Sequence, residues 1–121
     1  MKIFDLHCDT FMKLYKKNHS FNKNSLHIDL NKLQEGGSFA QFFAMYVYKK
    51  MDYKKYGFNS LFDYTISMID YFHNVINDSD DIEFASNYDS LKENEKSGKI
   101  SAFLTLEEGG VIGDNLDRLE I

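Results

Sequence analysis

Two short stretches carry the side chains best suited to chemistry. One is Asp5-Leu6-His7-Cys8-Asp9 near the amino end; the other is Leu106-Glu107-Glu108-Gly109-Gly110. In an extended strand, residues two apart share a face, so His7 and Asp9 project together and Cys8 turns the other way. An imidazole and a carboxylate converging there supply two of the ligands that a zinc-type ion takes. A plainer reading of the triplet has Asp9 capping the next helix beside a hydrogen-bonded His7. In the second stretch, Glu107 and Glu108 point in opposite directions if the strand persists, so only one can face a shared site. The glycines that follow let the backbone turn tightly beside a ligand. The competing reading is a helix entry, where negative charge is favourable.

Both stretches must be held by strands. Lys2 to Leu6 reads as a short strand, and Thr10 to Lys17 as a helix with Phe11, Leu14 and Tyr15 on one side. Asn18 to Ser25 is a polar loop. Asp29 is placed to cap a helix from about Leu30 to Glu35, which Gly36-Gly37 stops. Phe39 to Tyr48 is nearly continuous in apolar character, as a strand buried on both faces of a parallel sheet would be. Asn59 or Ser60 caps a long helix to about Asn77, with Phe58, Phe62, Ile69, Phe72 and Ile76 at helical spacing. Ile82 to Ala85 is a short strand. Ser86 to Asp89 opens a further helix through Ser97 in the manner of a capping box. Ile100 to Leu106 is a strand, and a last helix is expected from near Asp114 into the terminus. This alternation of strands and helices reads as α/β with a parallel sheet.

The chain has 121 residues, enough for one ordinary domain, with 43% hydrophobic and 27% charged residues. The net charge of −5 disfavours a nucleic-acid partner, which wants a basic face. Arg118 is the single arginine, so bidentate guanidinium recognition of phosphate or carboxylate is not expected. The single cysteine excludes an intrachain disulfide. No apolar run is long enough for a membrane span, and Asp5 and His7 interrupt what would be a signal-peptide core. A cytoplasmic protein is the expectation.

Together the stretches resemble the membrane-dipeptidase (renal dipeptidase, peptidase M19) family. FDLHCDT is similar to the family's opening strand with its H-x-D. HIDLNKLQEGGSFAQFFAMYV is similar to its Asp-Leu helix, Glu-Gly-Gly and aromatic-rich strand, and AFLTLEEGG to a strand ending in Glu-Gly-Gly. The resemblance runs from Met1 to Ile121. It implies a (β/α)8 barrel, of which this chain would be the N-terminal half with about four parallel strands. It also implies two zinc ions and hydrolysis of dipeptides by metal-activated water. Carried over by position, His7 and Asp9 look like ligands of the first metal. Glu108, next to Gly109-Gly110, looks like the bridging carboxylate, with Glu107 a strand neighbour that is not a ligand. His27-Ile28-Asp29 repeats the spacing of His7 and Asp9 but is accounted for by helix capping. His19 and His73 read as surface or satisfied histidines, and Cys8 as a packing residue. Broader amidohydrolases usually present H-x-H after the first strand, not H-x-D.

A full barrel of this kind takes about 250 residues. The family's second-metal histidines, substrate-carboxylate arginine and later catalytic aspartate have no counterpart here. The sequence is therefore expected to represent a truncated, N-terminal part of a metallo-dependent hydrolase barrel, inactive alone. Unpaired sheet edges would favour self-association or pairing with a missing C-terminal half. The alternative is a non-catalytic half-barrel whose site residues are idle.

Overall fold

The computed structural model describes residues 1–17 and 19–119; Asn18, Glu120 and Ile121 lie outside the described residues. Four strands, β1 (Ile3–Cys8), β2 (Ser38–Met45), β3 (Ile82–Phe84) and β4 (Ile100–Leu106), form one sheet in the order β1-β2-β4-β3. Every pairing is parallel. Parallel neighbours need crossovers, and these are α1 (Thr10–Lys17) with α2 (Leu30–Glu35), then α3 (Leu61–Asn77) and α4 (Tyr88–Lys96). The α/β architecture expected from the sequence is the one observed.

The strand succession adds something the alternation of elements did not contain. β3 lies outside β4 and pairs only with its amino half, from Ile82 beside Ile100 to Phe84 beside Ala102. Phe103 to Leu106 therefore have no strand neighbour on that side among the described residues.

β2 sits between β1 and β4, and its apolar run is divided between two environments. Phe43 and Met45 face the helices and are fully buried against Phe11, Leu14, Met68 and Phe72. Phe11 meets Phe43 and Phe72 edge-on, at 4.9 and 4.8 Å between ring centroids. The α3 stripe is centred on Tyr64, Met68, Phe72 and Ile76, a strict i, i+4 row. Phe62 and Ile69, expected on that stripe, are only half-buried, and Phe58 precedes the helix. Ser60 is the cap, accepting from the Asp63 amide.

The other sheet face is open at its carboxyl end. Phe4, Phe42 and Phe103 lie there in a row, with Phe42 and Phe103 stacked at 4.4 Å. At the amino end α4 closes it: buried Asn94 donates to Ser101 Oγ at 3.2 Å, and Ser101 shares a face with Phe103. Glu95 pairs with both Lys2 and Lys92, whose hydrogen bonds hold its carboxyl down at about 2. The cap of α4 is Asn87, not Ser86, and Ser90 completes the capping box.

The expected last helix is replaced by two 3-10 turns, Gly109–Ile112 and Leu116–Leu119. Gly113 between them has φ 60, which breaks any continuous helix. The part of that helix expected at Glu120 and Ile121 lies outside the described residues.

Asp29 caps α2 and does more than cap. One oxygen accepts from the Lys32 amide at 2.9 Å. The other accepts from the Asn24 amide at 3.0 Å and from Lys32 Nζ at 2.7 Å. Lys32 Nζ also donates to the Asn24 and Leu26 carbonyls, tying the preceding loop to the helix. Burial pushes the Asp29 carboxyl up, but these donors and the Lys32 charge outweigh it and hold it below its ordinary value. Asp29→Ala should lower the unfolding free energy at pH 7 by about 2 kcal/mol, as measured by urea denaturation. A depressed carboxyl adds stability that is complete above the unfolded value of 3.8 and is lost as pH falls through the folded one. The gap between wild type and variant should therefore narrow only in acid, below that value.

Candidate metal centre

The aim of His7 is set by an irregularity in β1. Asp5 pairs with Gln41 and Cys8 with Phe43, so β1 spends one more residue between these points than β2 does. Such a bulge bends the strand and re-aims its side chains. Plain alternation from Phe4 would put Leu6 and Cys8 on the open face and His7 under the helices. With the extra residue, Cys8 lies beside Phe43 and packs against the helix-side core, and His7 joins Asp9 at the open side. The strand is consequently longer than the sequence suggested, ending at Cys8 and not at Leu6.

Glu107 arrives from β4 by ordinary alternation. Ile100, Ala102, Leu104 and Leu106 form one row; Ser101, Phe103, Thr105 and Glu107 form the other. The Glu107 amide donates to the Met45 carbonyl at 3.1 Å, which carries the pairing with β2 one residue past the strand. His7 Nε2 then stands 3.6 Å from Asp9 Oδ1 and 3.9 Å from Glu107 Oε2. One ligand atom from each of the three lies within 4.8 Å of the others. All three side chains are about half exposed, and no lysine or arginine among the described residues pairs with either carboxylate.

Glu108 is not in this group. The structure turns it the other way, as the alternation of β4 requires. Glu108 Oε1 accepts from the Gly110 amide at 3.1 Å and caps the 3-10 turn Gly109–Ile112. Its other oxygen is buried without a partner. A Cβ on Gly110 would come within 2.7 and 2.8 Å of the Glu108 carboxylate oxygens and 3.0 Å of Lys49 Cγ. The glycine is thus explained by the fold-back of Glu108. Glu107, expected only as a strand neighbour, is the glutamate that stands beside His7. Its signal was the polar alternation Ser101, Thr105, Glu107 within an otherwise apolar strand.

The other histidines fall apart from the cluster. His27 is exposed and lines a cleft of about 340 Å³ beside β1, together with His7, Asp9, Lys13 and Leu26, without joining the three-residue group. His73 packs edge-on against Phe84 at 4.7 Å, a half-buried aromatic contact. An imidazole with two carboxylates, neither of them paired with a lysine or arginine among the described residues, is a donor set that suits a zinc-type ion.

A parallel α/β protein with an imidazole–dicarboxylate cluster at the carboxyl ends of its strands is the class these observations define. The family profile described as membrane dipeptidase (peptidase family M19) matches residues 1–121. The chain belongs to that family. Among solved structures, it is similar to dipeptidase AC, a metallo peptidase of family M19, with a TM-score of 0.80 and 18% identity; the match covers 99% of this chain and 40% of that one. It is equally similar to a metallo peptidase from Rhodobacter sphaeroides solved with a phosphinate mimic of the dipeptide L-Ala-D-Ala, at TM-score 0.80, 18% identity, 99% of this chain and 42% of that one. No curated protein sequence matches. The chain thus spans about two fifths of these relatives' length, in keeping with part of a (β/α)8 barrel. No helix among the described residues is long and apolar enough to cross a membrane.

Cys8 borders the cluster but is poorly suited to ligation or attack. Burial pushes its thiol up to about 11, against hydrogen bonds with Thr10, and the charges of Asp5 and Asp9 add to the rise. At pH 8 only about one thiol in a thousand is ionised at such a value, and the thiolate is the reactive form. Labelling with an aromatic disulfide reagent at pH 8 should therefore be slow in the folded protein and rapid in 6 M guanidinium. Equal rates in both would mean that the thiol is not shielded as described.

Proposed function

We propose that this chain supplies part of a zinc-dependent dipeptidase centre, with His7, Asp9 and Glu107 as its metal ligands. The observation that carries the reading is the convergence of three ligand atoms from two strand ends nearly a hundred residues apart. Family membership supports the metallopeptidase class. The donor set supports zinc, and the dipeptide mimic held by the Rhodobacter sphaeroides relative supports a dipeptide substrate. The family resemblance implies two ions in the complete site. The three donors here would hold part of that set.

Such ions supply Lewis acidity toward a peptide carbonyl and a water of lowered pKa. The chain's own residues hold and orient. His7 and Asp9 fix the ligand set from β1, and Glu107 reaches it from β4, two strands away. Glu108, which the family motif would make the bridging carboxylate, acts in this reading on the backbone of the rim. It fixes the turn that follows Glu107 and so limits where Glu107 swings.

Isothermal titration with Zn²⁺ tests the assignment. Glu107→Gln should weaken binding by more than about tenfold, since losing even a group that only orients a ligand costs about 10–100-fold. Glu108→Gln should leave zinc affinity close to wild type. The reverse pattern would return the ligand role to Glu108, and no binding to the wild-type chain would favour a non-catalytic half-barrel with idle residues. In protein completed by the remainder of the centre, Glu107→Gln should abolish dipeptide hydrolysis.

The open face bears on assembly. Phe4 and Tyr46 on this face are each 46% exposed, and the outer edge of β1 is unpaired among the described residues. Burying such surface favours association by about 25 cal/mol per Å². The chain, studied alone, is therefore expected to self-associate or to pair with the strands that complete the barrel. Sedimentation velocity should show species larger than a monomer at micromolar concentration. A single compact monomer across that range would contradict this.

A further inference from the structure

We propose that Asp5 is a positioning residue: by accepting a hydrogen bond from the His7 amide, it holds the bulge in β1 that aims the His7 imidazole at the site. The proposal rests on the ligand assignment above and adds a residue that the ligand set does not contain. The Asp5 carboxylate oxygen lies 3.2 Å from the His7 amide nitrogen. It sits at the start of the segment where β1 has one residue too many. An inserted residue takes an amide out of the ladder, and that amide then needs another acceptor. An aspartate two residues upstream provides one without distorting the strand on either side.

The position of Asp5 is otherwise hard to justify. Aspartate is among the poorest strand formers, and here it occupies the third position of a six-residue strand. It pairs with fully buried Gln41 and is itself half-buried. None of the ion pairs among the described residues uses it. It is also outside the metal-ligating group, although only two residues from His7. A local mismatch between residue type and element is what a supporting role would produce.

Two substitutions separate this role from charge or ligation. Asp5→Asn keeps an oxygen acceptor of the same reach and removes the charge. Asp5→Ala removes the acceptor. In the zinc-free protein, NMR should show contacts between the His7 ring and the Glu107 side chain in wild type and in Asp5→Asn, and none in Asp5→Ala. Zinc titration should give Asp5→Asn within about twofold of wild type and Asp5→Ala weaker by about tenfold or more, the range for groups that orient metal ligands. Should Asp5→Ala fail to fold, Asp5→Val, which offers no acceptor and favours an extended strand, gives the same contrast. The proposal is overturned if Asp5→Ala keeps the ring contacts, or if Asp5→Asn loses as much as Asp5→Ala. A wild-type chain that binds no zinc would sink the dipeptidase reading alone, because the ring contacts still decide the role of Asp5.

Discussion

Parallel pairing of β2 with both β1 and β4 is the constraint from which the centre follows. It puts the carboxyl ends of three strands on one rim, where the bulge in β1 and the ordinary alternation of β4 bring His7 and Glu107 together. The meeting has an electrostatic cost. Two unit charges 4 Å apart repel by about 1 kcal/mol in water and about 4 kcal/mol near a protein surface. Asp9 and Glu107 are half exposed, which keeps the cost toward the lower figure, and neither is paired with a lysine or arginine among the described residues. A divalent cation between them would offset the repulsion. The chemistry and the electrostatics of the rim therefore ask for the same partner.

The two faces of the sheet divide the remaining work. Helix-side residues such as Phe43, Met45 and Phe72 are fully buried and supply the cohesion. The opposite face is apolar too, but its aromatic row of Phe4, Phe42 and Phe103 is only partly covered. α4 seals its amino end and leaves its carboxyl end, where the His7–Asp9–Glu107 cluster stands, unobstructed. In closed α/β barrels the same end of the strands carries the reacting groups, because loops there vary without disturbing the packed layers beneath.

Two adjacent glutamates serve opposite needs at that end. Glu107 continues the row of Phe103 and Thr105 and joins the cluster. Glu108 folds back on the Gly110 amide and shapes the turn. Neither could take the other's part without a change in the register of β4, since neighbouring side chains in a strand leave by opposite faces. Gly110 belongs to this arrangement because a side chain there would collide with the Glu108 carboxylate.

Much of the architecture was legible in the amino-acid sequence because its signals are local. Thr10–Lys17, Leu30–Glu35 with its Asp29 cap, the Ser60 cap and the strand Ile100–Leu106 all follow from periodicity, capping chemistry and solid apolar runs. The common face of His7 and Asp9 also follows from spacing alone. Tertiary structure decided which face that was, through a one-residue register difference between β1 and β2 that no local pattern encodes. It also decided that β3 lies outside β4, and that Glu107, not Glu108, reaches His7. The reason is the same in each case: a strand's own residues specify alternation, but the neighbouring strand specifies which side of the alternation is the site.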